Sequence, residues 1–104
     1  MSDSKKPKTR NLSHANLAGS DLAEADLHEV NLRHATLRNA DLSGSDLTNA
    51  DLTGANLRNA SLQDAVAAHA NLEGADLRGA NMEGANLRGA RLDGCLTDEP
   101  SETS

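Results

Sequence analysis

The sequence contains no phenylalanine, tyrosine or tryptophan. Any core must therefore be built from leucine and alanine, without the large buried areas that aromatic rings supply. There is one cysteine, Cys95, so no internal disulfide can form and the cytoplasm is the expected compartment. Cys95 stands in a slot that otherwise holds alanine, and is expected to be buried like one. The two prolines, Pro7 and Pro100, lie near the two termini. No long apolar run occurs; the longest alanine-rich stretch, 65–68, is far too short to span a bilayer or serve as a secretory signal. No serine–histidine–aspartate set, phosphate-cradling glycine loop or clustered metal ligands can be argued, so an enzyme is not expected. Neither is a cofactor, a metal, a membrane contact or direct binding of nucleic acid.

What is present is a five-residue period. Leucine recurs at every fifth position from Leu12 to Leu92; Met82 fills one slot and only Ala67 breaks the rule. Two residues before each slot from Leu17 onwards stands a small residue, usually alanine, and between them, in nearly every repeat, Asp, Asn, Ser or Thr. On an α-helix a five-residue step advances about 140° around the axis, so the leucines would form no stripe. On a flat strand an odd step would throw successive leucines onto opposite faces. The pattern works only if the chain turns once per repeat and sends every leucine to one interior. The last position of the unit is often Gly or Asn, as at Gly19, Asn39, Gly54 and Gly94, residues that accept turn dihedrals at least cost.

The unit A-[D/N]-L-x-x resembles the pentapeptide-repeat family, over residues 10–96. The resemblance implies an all-β fold, a right-handed quadrilateral β-helix with four pentapeptides per coil and about four coils. At the usual strand spacing the rod would be about 20 Å tall. The most buried positions should be the leucine slots. Residues 1–9 read as a disordered basic tail and 97–104 as an acidic polar tail. Lys5, Lys6, Lys8 and Arg10 against Asp3 leave the first ten residues at +3; Asp98, Glu99 and Glu102 give the last segment −3; the whole chain carries −6.

With twenty residues per coil, residues twenty apart share a column. Asp21, Glu24, Asp26 and Glu29 fall along one edge, and Asp41 and Asp46 stack on Asp21 and Asp26. These six are the candidate partner surface. The expected role is a non-catalytic structural or protein-interaction module. The alternative is an acidic mimic of DNA, which the resemblance brings in because some members of the family bind DNA gyrase or topoisomerase. Against it, that subgroup has longer rods, uses Phe in central slots and dimerises through a C-terminal element. Arg38, Arg58 and Arg78 form a candidate basic column, and His14 and His34 share another column. The repeat at 65–69 is irregular: Ala67 leaves a leucine slot short, while Val66 is either an exposed apolar spot or turned inward by a bulge. Finally, Leu92, Cys95 and Leu96 end the repeats without a polar cap, which suggests a two-fold homodimer through the C-terminal coil.

Overall fold

The computed structural model describes residues 10–98. Fourteen parallel bridges, from Asn11–Asn31 to Asp76–Leu96, each join a residue to the one twenty further on. Five residues per side and twenty per coil make a four-sided coil, and the chain winds as a right-handed quadrilateral β-helix. Every corner has the same cause. The carbonyl of a slot leucine accepts the N–H of the small residue three places on, as Leu12 does from Ala15 at 3.0 Å and Leu32 from Ala35 at 3.1 Å. The third residue of each such turn has φ between +60° and +77°, the signature of a type II turn. That requirement explains why the last place of the unit holds Gly, Asn, Asp, His or Glu and never a β-branched residue.

Between corners, neighbouring coils are laced by a parallel ladder. From Leu12 to Leu77 the N–H of each slot residue donates to a carbonyl nineteen places ahead (Leu32 to Asp51, 2.8 Å), and from His14 to Gly74 so does the third turn residue (His34 to Thr53, 2.9 Å). From Asn31 to Leu96 the residue at the Asp or Asn place donates back to the preceding coil (Asn31 to Arg10, 2.9 Å). The interior is a stack of leucines, with Leu32, Leu37, Leu42, Leu47, Leu52 and Leu57 fully buried. Alanines fill the corners, and Ser45 replaces one of them; its hydroxyl donates to the carbonyl of Leu42 at 2.8 Å, so no buried donor is orphaned.

Burial is not uniform along the leucine slots, contrary to the expectation that all of them would be the most buried positions. Leu12, Leu17, Leu22, Met82 and Leu87 are only partly buried and Leu92 is 42% exposed. A terminal coil has one neighbour instead of two, so its leucines are covered on one side only. Cys95 sits in such a coil and is half-buried rather than fully inside; its thiol donates to the carbonyl of Leu72 at 3.0 Å, and burial raises its pKa. The irregular repeat makes no bulge. Val66 bridges to both Asp46 and Asn86 in register and faces outward at 38% exposure, while Ala67 is buried in the column of Leu47 and Leu87. Among the described residues, no helix is long and apolar enough to cross a membrane.

Candidate interaction surface

Each outward Asp or Asn has a local task set by the turn that follows it. Its side-chain oxygen accepts the N–H two residues on: Asp41 from Ser43 at 3.0 Å, Asp46 from Thr48 at 3.0 Å, and likewise Asn31 from Arg33 at 3.0 Å. This is why Asp and Asn alternate freely at that place. Where Ser or Thr follows, its hydroxyl donates to the same oxygen, at 2.6 Å from both Ser43 and Thr48. These bonds favour the ionised form, and both Asp41 and Asp46 have pKa values lowered from the ordinary carboxylate value, the hydroxyl being the larger cause.

The structure brings the six predicted acids together. Asp21 bridges to Asp41 and Asp26 to Asp46, so four carboxylates form a two-by-two block on adjacent faces. Glu24 and Glu29 stand at the corners beside them, and all six are exposed. Two groups that sequence reading did not assign to this surface also belong to it. The His28 ring lies with Nδ1 2.5 Å from Oδ1 of Asp26, and Arg10 places a guanidinium nitrogen 4.0 Å from the same oxygen. Their signals were in the sequence: His28 follows Asp26 by two, the spacing of the Asx bond, and Arg10 precedes the first ladder residue. Asp26, His28 and Asp46 are the one grouping of three ligand-type side chains among the described residues, and all are exposed.

The Asp26–His28 hydrogen bond lowers the pKa of Asp26 and raises that of His28. A histidine whose folded pKa lies above its unfolded value adds stability below the unfolded value of 6.5. That contribution disappears as pH rises through the folded pKa. Asp26→Asn is therefore expected to move the His28 titration down towards 6.5, read by NMR of the imidazole carbons. An unmoved His28 would show that the hydrogen bond is not made in solution.

The basic column is less free than its spacing suggests. Arg78 turns onto its own Asp76, with Nε 2.9 Å from one carboxylate oxygen and a terminal nitrogen 2.7 Å from the other. This bidentate pair holds the Asp76 carboxyl down to about 2, helped by the charge of Arg58. Its stabilisation is present above the ordinary carboxylate range and is lost as pH falls towards that value. Other arginines reach diagonally between coils, Arg33 to Asp51 at 3.2 Å and Arg91 to Glu73 at 2.8 Å. His14 and His34 do meet, but as stacked rings with centroids 5.3 Å apart and planes 20° from parallel.

The family model for pentapeptide repeats matches residues 11–49, 25–64 and 60–96, with 8 copies. The chain belongs to the pentapeptide-repeat family. Solved pentapeptide-repeat proteins share its fold. One from the Arabidopsis thaliana thylakoid lumen is 33% identical with a TM-score of 0.82, covering 89% of this chain and 66% of its own. HetL, involved in heterocyst differentiation regulation in the cyanobacterium Nostoc, is 35% identical with a TM-score of 0.69, covering 89% of this chain and 50% of its own. A third, also from Nostoc, is 32% identical with a TM-score of 0.74, covering 86% of this chain and 85% of its own. The chain thus spans no more than about two thirds of the first two relatives. No functionally curated protein matches it.

Proposed function

We propose that this pentapeptide-repeat protein is a non-catalytic interaction module whose acidic block binds a basic surface on a protein partner. The observation that supports this reading is the clustering of six exposed carboxylates on two faces of two stacked coils. On those faces the first two coils carry His28 as their one basic side chain, with Arg10 at the edge. The remaining acids of the body are dispersed, and three of them pair with arginines. A rigid coil holds its carboxylates at fixed spacing, so binding orders few side chains beyond those already held by Asx bonds.

Such an interface draws its on-rate and specificity from charge, and weakens with salt. Replacing Asp21, Asp26, Asp41 and Asp46 by Asn, and Glu24 and Glu29 by Gln, keeps the Asx bonds and removes the charge. The variant is expected to fold normally and to lose, by at least about tenfold, the partners that wild type captures from the native cell at low salt. Partners retained equally by the variant would overturn the reading. A gyrase supercoiling assay asks whether that partner is a topoisomerase: inhibition by wild type and not by the variant would identify the acidic block as a DNA mimic.

A further inference from the structure

The two ends of the solenoid differ in chemistry. Inside the ladder, the carbonyls of a residue such as Asp46 or Thr48 accept N–H groups from the coil before, at 2.8 Å from Leu27 and 2.8 Å from Glu29. Among the described residues, Asp26 and His28, in the first coil, have no such coil below them. The Arg10 guanidinium takes its place, donating to the Asp26 carbonyl at 2.9 and 3.0 Å and to the His28 carbonyl at 2.9 Å. At the far end the Gly79 N–H would find a backbone carbonyl one coil ahead, as Asn59 finds Arg78 at 3.0 Å. It is met instead by the carboxylate of Asp98, at 3.0 and 3.2 Å. A donor-only side chain covers one end and an acceptor-only side chain the other. Beyond them, among the described residues, the N–H groups of Met82, Leu87 and Leu92 have no backbone acceptor, and the carbonyls of Asn16 and Asp21 have no backbone donor. The last coil offers the first coil what any coil offers the next.

We infer that the protein self-associates head to tail, the C-terminal coil of one copy docking under the N-terminal coil of a second copy and continuing the ladder. The register follows from where the repeats stop and start. Leu96 is the last ladder residue, bridged to Asp76, and the next ladder place stands over Asn81; Asn11 is the first ladder residue. The four faces share one backbone, so Asn11 of the second copy fits over Asn81. Its Asp21 then lies over Arg91, and its Asp26 over the exposed Leu96, each at about 4.8 Å, the spacing between paired strands. Opposite charges meet at Asp21 and Arg91, and no like charges face one another in the ladder. Leu96 and Asp98 then fill the place that Arg10 holds beneath the Asp26 and His28 of the second copy, so Arg10 gives up those two carbonyls and turns onto the Asp98 carboxylate, and the two end caps become an ion pair.

The described end caps favour the same polarity. Arg10 stands at one end and Asp98 at the other, so head-to-tail docking sets opposite charges side by side. The two-fold arrangement expected from the sequence sets acid against acid. A head-to-tail contact is heterologous and does not close on itself, so it grows beyond two copies.

Light scattering of the isolated chain across a concentration series at low salt tests this without any partner, and so independently of the acidic block's role. The average mass is expected to pass that of a dimer without reaching a plateau, and to fall when salt is added. Arg10→Glu and Asp98→Arg should each leave a monomer, and the double reversal should restore association. In a Cys95→Ala background, Asn11→Cys with Asn81→Cys should give a ladder of disulfide-linked oligomers, since those positions lie at opposite ends of one copy. A monomer at every concentration, a mass that stops at two copies and ignores Arg10→Glu, or a cysteine pair that stays unlinked would each overturn head-to-tail docking.

Discussion

Leu52→Asp is expected to abolish the folded state. Leu52 is fully buried, between Leu32 and Leu72 in the same column. A carboxylate there has no cation or donor to face, and burying an unpaired charge costs several kcal/mol even after relaxation. Small domains have only about 5–15 kcal/mol in total. The solenoid makes matters worse, because each coil is held mainly by its neighbours. A failed third coil leaves two short stacks, each with its own half-covered ends. Leu92→Asp is the control: the same chemistry in a slot already 42% exposed should shift the midpoint of urea unfolding little. Far-UV circular dichroism and urea melts read both. A Leu52→Asp protein with a cooperative melt near that of wild type would show that the column is not the core.

The contrast between these two leucines marks how far the sequence carries. A period of five excludes helix and flat sheet on geometry alone, and it places every leucine inside. It does not say how deep inside. Depth depends on whether a coil has neighbours above and below, so Leu12 and Leu52 look alike in sequence and differ in burial. The same holds for the surface. The column arithmetic that stacks Asp41 on Asp21 and Asp46 on Asp26 needs only the number twenty, and the bridges follow it. Side-chain direction is not in that arithmetic. Arg78 and Arg58 share a column, but Arg78 folds back on Asp76 because the Asx place two residues earlier holds a carboxylate, whereas Arg58 follows Asn56. Val66 kept its outward place because the ladder fixes register at both neighbours. The end caps were the least legible part. Arg10 and Asp98 stand at the two margins of the repeats, and their roles come from backbone groups that only a terminal coil leaves open.

Positive φ recurs at every corner, yet the corners are not interchangeable, and glycine substitutions should expose the difference. Gly19 has φ +72° with nothing within 4 Å of where a Cβ would sit. Gly19→Ala should therefore cost only the left-handed backbone penalty, about 1–2 kcal/mol. Gly54 has φ +68°, and a Cβ there would lie 2.5 Å from Nδ1 and 2.6 Å from Cε1 of His34. The His34 ring crosses the next coil at the point where glycine leaves room, and it is held there by its stack on His14. Gly54→Ala must push that ring off its rotamer and out of the stack, an additional cost of about 1 kcal/mol. The excess belongs to a pair, so it should vanish when the ring is removed. In a His34→Ala background Gly54→Ala is expected to cost no more than Gly19→Ala does in wild type, a coupling that urea denaturation of the four proteins of the cycle measures directly. Equal costs for Gly54→Ala with and without His34 would mean that the ring is free to move aside. The alternation of side chain and glycine along this column, His34 below Gly54, would then be incidental to stability.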